Sequence, residues 1–285
     1  MKVLIFGASG LLGKALLREW TQDEVTGVTS RDADIRRPEA VRKVVENAHP
    51  DWIVLAAAYT DVDGCESNRQ LAFAVNRDGA LNVAQAAKAI GSRCMFLSSD
   101  YVFDGRKTTP YETNDKRNPQ SVYGNTKAEA EIKLQELIPE CTIVRTSWLF
   151  GLDGKCFPDT ILKLGASRPA LDVVNDQRGC PTYAEDLARA IIQLCHKNAG
   201  GIVHATNAGD CTWFEFAQEI FKNARLSTSV RPVSTAQMPR PARRPAYSVL
   251  SPASLNAFGI EMPSWSDGLG RYLRGRSRQT VELSK

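Results

Sequence analysis

Tyr123 and Lys127 are four residues apart, a spacing that places both side chains on one face of a helix. A phenol with a pKa near ~10 transfers protons poorly at neutral pH unless a nearby cation favours the phenolate. Lys127 supplies such a cation, and lowering the pKa of a phenol by ~3 units takes ~4 kcal/mol. Alone, this spacing is more typical of an exposed helical pair, so proton transfer at Tyr123 needs support from other segments.

A serine at the end of a short apolar run gives that support. Residues 94–97 are predicted to form a strand, and Ser98, Ser99 and Asp100 follow it directly. In open parallel sheets, ligands bind at the carboxyl ends of the strands. A serine there can hydrogen-bond a substrate carbonyl beside the tyrosine that protonates it.

A glycine-rich loop joins the first apolar run to the first helical pattern. Gly7, Gly10 and Gly13 permit a tight turn and a close approach of the backbone to a pyrophosphate, and the following helix presents free N–H groups. A lone glycine pattern is weak, but a strand precedes this one and a helix follows it. The loop therefore predicts dinucleotide binding by Gly7, Ser9, Gly10, Leu11, Leu12 and Gly13.

The end of the second predicted strand bears on which dinucleotide is bound. NAD-dependent enzymes of this kind usually carry an acid there for the ribose 2′-hydroxyl, whereas this chain has Thr29, Ser30 and Arg31. Ser30 and Arg31 suit a 2′-phosphate, which favours NADPH. Asp32 follows immediately and suits NADH, so that cofactor stays open.

Strand and helix patterns alternate along the first half of the chain. Strands are predicted at residues 3–6, 24–28, 52–56, 94–97 and 142–145, and helices at 10–20, 38–48, 71–90 and 123–137. This repetition predicts an α/β fold with a Rossmann-type doubly wound parallel sheet and a smaller C-terminal α/β substrate lobe. The division we expect is an NAD(P)-binding domain at residues 1–150, with a returning segment of about 173–205, and a substrate-binding lobe at 151–172 and 206–285.

Two helix starts in the second half have the spacing of a capping box. Thr182 is followed by Glu185, and Thr212 by Glu215, each ahead of an apolar helical pattern. We therefore expect helices to begin at both places.

Composition and charge exclude several classes of protein. The 285 residues are 43% hydrophobic and 24% charged, as in an ordinary globular protein, and a dispersed net charge of +4 does not indicate nucleic-acid binding. Seven scattered cysteines without a CxxC pair and three dispersed histidines favour a reducing compartment and no metal site. No apolar run approaches the ~20 residues of a membrane span, so we expect a cytoplasmic protein with no membrane partner.

Longer blocks of the chain resemble one family. The GxxGxxG form of the glycine loop resembles the extended short-chain dehydrogenase/reductases. Further blocks resemble the dTDP-4-dehydrorhamnose reductases, at residues 98–105, 110–112, 123–127, 145–148, 174–182 and 244–248. The resemblance covers nearly the whole chain and implies NAD(P)H-dependent reduction of a nucleotide sugar. The implied reaction converts the C4 keto group of dTDP-4-dehydro-β-L-rhamnose to give dTDP-L-rhamnose.

The resemblance also assigns roles to residues. It implies a catalytic triad of Ser99, Tyr123 and Lys127, of which Tyr123 and Lys127 also contact the cofactor. The residues implied to face the sugar are Asp100, Tyr101 and Trp148, although Trp148 is equally well read as a core aromatic. The other implied cofactor contacts are Asp34, Ile35, Ala57, Ala58 and Thr60. For Asp34 and Ile35, a turn that precedes a helix is nearly as good an interpretation.

The proline-arginine stretch at residues 239–245 suits an anionic ligand, since guanidinium groups pair with phosphate oxygens. We expect Arg244 to meet the substrate diphosphate, and a solvated loop is the alternative. Some family members join subunits through a magnesium site with an acidic residue just after the glycine loop. This chain has Lys14 and Ala15 there, so no metal site is expected and a homodimer stays open.

Two other functions fit the same fold. Related nucleotide-sugar dehydratases carry an acid pair after the catalytic Ser or Thr, whereas Ser99 is followed by Asp100 and then Tyr101, which argues against a dehydratase or epimerase. A non-catalytic NADP-binding regulatory subunit, similar to the β subunit of methionine adenosyltransferase, needs no complete triad. Because the triad is complete, a reductase is the preferred interpretation.

Overall fold

The computed structural model describes the backbone of residues 1–283 and the side chains of residues 1–277. Its central sheet contains β1 (Lys2–Phe6), β2 (Glu24–Val28), β3 (Trp52–Leu55), β4 (Arg93–Ser99), β5 (Thr142–Thr146) and β10 (Gly201–His204). These six strands are parallel, in the order β2-β1-β3-β4-β5-β10. The order reverses between β1 and β3, and ligands bind beyond the carboxyl ends of strands at such a point.

Helices cover both faces of this sheet. They are α1 (Leu11–Glu19) and α8 (Ala184–His196) on one face, and α2 (Pro38–Ala48), α5 (Gly79–Ile90) and α6 (Val122–Leu137) on the other. Side chains of β1 alternate between the faces: Val3 and Ile5 pack with α1 and α8, whereas Leu4 and Phe6 pack with α2 and α5. A sheet buried on both faces needs apolar residues at every position, which explains the unbroken apolar run of β1. The predicted doubly wound α/β fold is confirmed.

The helix predicted at residues 71–90 is interrupted. A short helix, α3 (Val62–Ser67), precedes it, and the segment itself forms α4 (Arg69–Phe73), a π turn (Ala74–Asp78) and then α5. The π turn carries the buried Asn76, whose amide accepts a hydrogen bond from the Tyr59 N–H at 2.7 Å and donates to the Thr126 hydroxyl at 3.1 Å. The wider turn therefore ties the loop after β3 to α6.

The remaining elements form the smaller lobe or border it. They are β6 (Leu149–Phe150), β7 (Ala170–Val174), β8 (Arg178–Gly179), β9 (Thr182–Tyr183), β11 (Cys211–Thr212), β12 (Ser229–Val233), α7 (Phe157–Gly165), α9 (Trp213–Ala224), α10 (Ala253–Asn256) and α11 (Trp265–Leu283). Short 3-10 helices lie at Asp100–Val102 and Thr235–Gln237. Strands β7 and β12 pair in parallel over a core that includes Phe150, Phe216 and Tyr272. Among the described residues, no helix has the length and apolar character needed to cross a bilayer.

The two predicted capping boxes have different outcomes. At α9 the box is confirmed: Thr212 accepts from the Glu215 N–H at 3.2 Å and Glu215 accepts from the Thr212 N–H at 2.7 Å. At α8 the prediction of a box is wrong, because Thr182 belongs to β9 and the helix begins at Ala184. The Thr182 hydroxyl donates to the Cys180 carbonyl and Glu185 pairs with Arg18 instead.

Candidate active site

A cavity of about 860 Å³ runs along the carboxyl ends of the central strands, from the glycine loop to the smaller lobe. Most of the residues singled out from the sequence line it: Gly7, Ser9, Gly10, Leu11, Leu12, Gly13, Ser30, Asp34, Ile35, Ala57, Ala58, Thr60, Ser99, Asp100, Tyr101, Tyr123, Lys127 and Trp148. Arg31 and Arg244 are not among the residues of its wall. The fold thus brings the predicted catalytic group and the glycine loop into one cleft.

The glycine loop is tightly packed at Gly7 and Gly13. A Cβ on Gly13 would lie 2.1 Å from the Gly7 carbonyl oxygen, and one on Gly7, where φ is +89°, would lie 2.5 Å from the Ala57 nitrogen. Gly10 precedes α1 without a side-chain cap, and the first turn of α1 holds no acidic residue. The free N–H groups of that turn therefore offer an uncompensated positive helix end, which suits the pyrophosphate of a dinucleotide.

The charged residues of the loop after β2 have different partners. Asp32 accepts hydrogen bonds from the N–H and the hydroxyl of Thr29 at 2.8 and 2.7 Å, so its carboxylate caps its own turn. Arg36 lines the cavity and is held by Asp34, whose oxygens its Nε contacts at 3.0 Å. The hydrogen bonds from Arg36 hold the pKa of Asp34 below its ordinary value. The cation at the wall is thus Arg36, which the sequence analysis overlooked.

The predicted tyrosine and lysine lie on the first turns of α6. Gly124 lets this helix approach the preceding segment, because a Cβ there would lie 2.2 Å from the Tyr101 carbonyl oxygen. The buried Lys127 ammonium donates to the Leu97 carbonyl at 2.8 Å and lies 4.7 Å from the centre of the Phe96 ring. Burial lowers the pKa of Lys127 to about 8. Burial also raises the pKa of Tyr123, and the Asp100 charge adds to this rise. The expected lowering of the phenol pKa is therefore absent from this arrangement, in which burial is the larger effect.

Ser99 ends β4 beside that tyrosine. Its hydroxyl accepts from the Tyr101 N–H at 3.2 Å and donates to the Asp100 Oδ1 at 2.8 Å. Its interaction with the Tyr123 phenol opposes the rise in the phenol pKa. Asp100 is 1% exposed, and burial raises its pKa to about 6. The interactions of its carboxylate with the side chains of Ser248 and Ser99 act against this rise.

A buried ion cluster beneath the cleft fixes these strand ends. Glu131, one turn beyond Lys127, accepts from the Ser98 hydroxyl at 2.5 Å and from Arg145 at 2.9 and 2.7 Å. Arg117 donates to the same carboxylate at 2.5 Å. Glu131 and Arg145 are both fully buried, so the cluster joins α6 to the ends of β4 and β5. The spacing of Lys127 and Glu131, four residues apart, was the signal in the sequence that could have indicated it.

The far end of the cavity is aromatic. The Trp148 ring stacks on Trp213 with ring centres 3.5 Å apart and an angle of 7°. Trp148 has a φ of +46°, rare for a bulky residue, and a Cβ on Gly179 would lie 2.6 Å from its ring. The exposed Lys155 also lines this end. Sequence reasoning missed Trp213 and Lys155, because neither has a fixed spacing to any predicted site residue.

Arg244 lies behind the cavity wall rather than on it. Its guanidinium pairs with Asp63 at 3.0 and 3.1 Å and faces the hydroxyl of Tyr101, with which it interacts. Tyr101 in turn lines the cavity and meets the Tyr123 ring edge-on, with ring centres 5.6 Å apart. One side chain, that of Tyr101, thus lies between Arg244 and the predicted proton donor, Tyr123.

Comparisons with known proteins agree with this geometry. A family model described as the RmlD substrate binding domain matches residues 1–277. The spore coat polysaccharide biosynthesis protein SpsK of Bacillus subtilis (strain 168) is 39% identical over 278 residues, covering 97% of this chain and 98% of that protein. A dTDP-4-dehydrorhamnose reductase of Mycobacterium tuberculosis (strain ATCC 25618 / H37Rv) is 37% identical over 289 residues, covering 98% and 94% of the two chains.

Solved structures extend the likeness to the fold. The dTDP-4-dehydrorhamnose reductase of Bacillus anthracis str. Ames, determined in complex with NADP, superposes with a TM-score of 0.94 at 39% identity, covering 96% of this chain and 99% of that one. A UDP-glucose 4-epimerase of Thermus thermophilus shares the fold with a TM-score of 0.82 at 21% identity, covering 96% and 98% of the two chains. From the match over residues 1–277 and from the likeness to these relatives over nearly its whole length, the chain belongs to the RmlD family.

Proposed function

We propose that this protein reduces the C4 keto group of dTDP-4-dehydro-β-L-rhamnose with NADPH to give dTDP-L-rhamnose. The observation that carries the proposal is the position of Ser99, Tyr123 and Lys127 on one cavity wall, between the glycine loop and the aromatic end. Relatives at 37% identity over nearly the full length are named for this reaction. The division into a dinucleotide-binding domain and a substrate lobe follows from the same arrangement.

The residues for the dinucleotide are those that the glycine loop and the neighbouring strand ends offer. The pyrophosphate would lie on the N–H groups of Leu11 to Gly13, and the adenosine between Ser30, Asp34 and Ile35. When bound, NADPH supplies the hydride. We assign its 2′-phosphate to Arg36, since that guanidinium is at the wall and Arg31 is not. Ala57, Ala58 and Thr60 would line the path towards the nicotinamide.

The residues for the nucleotide sugar lie at the other end. Asp100, Tyr101 and Trp148 would face the sugar, since all three line this part of the cavity. Lys155, for which no carboxylate partner is found among the described residues, is the cation that we assign to the diphosphate.

The chemical step needs one proton at the new alkoxide oxygen. Tyr123 holds its proton at neutral pH, since burial raises the pKa of the phenol, and it can donate that proton as the carbonyl oxygen gains charge. Lys127, with a pKa of about 8, is mostly protonated at pH 7 and lies one helical turn away, so it stabilises the phenolate that remains. Ser99 would hold the same oxygen by a hydrogen bond, with its hydroxyl turned from Asp100 Oδ1 to the substrate.

Neither alternative function gains an observation of its own. The epimerase and the dehydratase among the solved structures are 21% and 19% identical to this chain, which shows a shared fold alone. We also propose that the protein acts in the cytoplasm, in keeping with seven free, buried cysteines, and leave a homodimer open.

The proposal is tested by following NADPH oxidation with dTDP-4-dehydrorhamnose and identifying the product. We expect turnover and formation of dTDP-L-rhamnose. A correctly folded protein that binds NADPH yet leaves this sugar unreduced would contradict the proposed substrate, and release of a 4,6-dehydrated or epimerised sugar would favour the related activities.

A further inference from the structure

One carboxylate fastens the proline-arginine segment to the dinucleotide-binding half. Asp63, on α3, accepts hydrogen bonds from Arg240 at 3.0 and 2.7 Å, from the Ala242 N–H at 3.1 Å and from Arg244 at 3.1 and 3.0 Å. Partial burial acts to raise the pKa of Asp63, but these hydrogen bonds outweigh it and hold the pKa well below its usual range. Asp63 is therefore charged at every ordinary pH, and it joins segments about 180 residues apart.

Asp63, Arg240 and Arg244 together form a polar clasp between these two segments. Its two arginines differ in their other contacts. The Arg240 side chain is 59% exposed, whereas that of Arg244 is 19% exposed and also donates to the Ala242 carbonyl at 3.0 Å. The Arg244 guanidinium also interacts with the hydroxyl of Tyr101. To bind a diphosphate, Arg244 would have to leave a two-point pair with Asp63 and turn past Tyr101 towards the cavity.

The segment is also packed against the chain that carries Tyr101. A Cβ on Gly105, where φ is +77°, would lie 2.5 Å from the Pro245 side chain and 2.8 Å from the Ala246 nitrogen. The turn after Tyr101 and the segment after Arg244 are thus in direct backbone contact. Because of this contact, a displacement of the clasp would also move Tyr101, whose ring meets Tyr123 edge-on.

We infer that Arg244 is a positioning residue: held by Asp63, it fixes the Tyr101 ring beside Tyr123 and does not bind the substrate diphosphate. The inference rests on the proposed function and names how the lobe completes that site. Small displacements of reacting groups are costly, and about 1 Å can reduce turnover ~10²-fold.

The two roles of Arg244 predict opposite effects at Asp63. If Arg244 binds the diphosphate, Asp63→Asn frees its guanidinium, and binding of dTDP stays the same or becomes tighter. If Arg244 positions Tyr101, Asp63→Asn loosens the clasp and reproduces the defect of Arg244→Gln. The double variant should then be no worse than either single variant, because the residues act as one unit.

The experiment compares Arg244→Gln, Asp63→Asn, their combination and Tyr101→Phe. The matched control is Arg240→Gln, which also loses a bond to Asp63 but no contact with Tyr101. Steady-state kinetics with the dehydro-sugar would give kcat and KM, and calorimetry would give the Kd of dTDP. Lys155→Met is the variant in which we expect dTDP binding itself to weaken.

We expect kcat to fall roughly 10- to 100-fold in Arg244→Gln, Asp63→Asn and Tyr101→Phe, with the Kd of dTDP within about twofold of wild type, and we expect Arg240→Gln to stay near wild type. A tenfold loss of dTDP affinity in Arg244→Gln, without the same loss in Asp63→Asn, would overturn the inference, as would unchanged kcat in both Arg244→Gln and Asp63→Asn. Arg244→Lys, which keeps the charge, covers the case in which Arg244→Gln fails to fold. An inactive wild type would contradict the proposed function, and the dTDP binding data would still decide the role of Arg244.

Discussion

The glycine-rich end of the cleft and its aromatic end are built in different ways. At the glycine-rich end, the wall is made by short stretches that each follow a strand of the sheet, at residues 7–13, 29–36 and 56–60, and many of their lining residues are glycine, alanine, serine or threonine. At the aromatic end, the wall is made by large side chains from separate elements, such as Trp148 and Trp213, which hold one another by stacking.

The difference predicts how each end responds to substitution. At the glycine-rich end, most changes of side chain should have little effect, whereas a Cβ added in the tight turn should disrupt binding. At the aromatic end, a substitution should leave the backbone in place and weaken binding by a small amount.

Tyr123 lies where the glycine-rich end and the aromatic end meet, and Tyr123→Phe should leave both ends of the cleft intact. Because it removes only the proton donor, we expect kcat to fall by ~10²- to 10⁴-fold while the Kd values of NADPH and dTDP stay near wild type. Steady-state kinetics and calorimetry measure both. A folded Tyr123→Phe protein with near wild-type turnover would show that the proton comes from another group.

Gly13→Ala should break the glycine-rich end. Its Cβ would lie 2.1 Å from a backbone oxygen, so the loop must shift, and we expect a loss of NADPH affinity of more than about tenfold with about 1–3 kcal/mol less stability. Gly270→Ala is the control, another helical glycine whose added Cβ meets only the flexible Arg274 side chain at 3.4 Å. There we expect a gain of up to ~1 kcal/mol in urea unfolding. Equal costs at both positions would contradict the packing argument.

Arg36→Ala tests the side chain that we assign to the 2′-phosphate of the dinucleotide. A charge-assisted bond contributes ~1.5–3 kcal/mol, so we expect the Kd of NADPH to rise roughly 10- to 100-fold and that of NADH to change little. Arg31→Ala, an equally exposed arginine off the wall, is the matched control and should leave both Kd values alone. A rise in the Kd of NADPH in Arg31→Ala but not in Arg36→Ala would instead assign the 2′-phosphate to Arg31.

Trp213→Ala should weaken the aromatic end without touching the other. Loss of the stack on Trp148 removes about 0.5–1.5 kcal/mol, so we expect the Kd of dTDP-rhamnose to rise about tenfold at most and that of NADPH to be unchanged. Trp213→Phe should recover most of the loss. A parallel loss of NADPH affinity would show that the two ends are coupled.

Lys127→Met gives a small effect on stability that depends on pH. The folded-state pKa of Lys127, about 8, is below the ordinary 10.5, so keeping the ammonium charged costs stability below pH 8, and this cost disappears as the pH rises from about 8 to 10.5. The variant avoids the cost but loses the bond to the Leu97 carbonyl, so we expect it to be of order 1 kcal/mol more stable at pH 7. That advantage should be gone by pH 10 in urea unfolding. An advantage equal at both pH values would contradict the buried-charge argument.

Sequence reasoning was most successful where chemistry follows directly from a strand or from helical spacing. The glycine loop, Ser99 and the Tyr123–Lys127 pair all lie on the cavity wall, since their places depend on the local pattern alone. Arg31 and Arg36 show the limit of such reasoning: both follow β2, and the choice between them depends on Asp34, which turns Arg36 to the wall.

The doubly wound sheet could be predicted from the sequence, because apolar runs and helical periods are local properties of the chain. The partners of Arg244 and Trp148 could be identified from the tertiary structure alone, because these partners, Asp63 and Trp213, are distant in sequence. The two Thr-x-x-Glu motifs show the same division: Thr212 caps α9, whereas the identical spacing at Thr182 is overridden by strand pairing with β6. A capping box is worth about 1 kcal/mol, so a long-range contact of similar strength is enough to replace it.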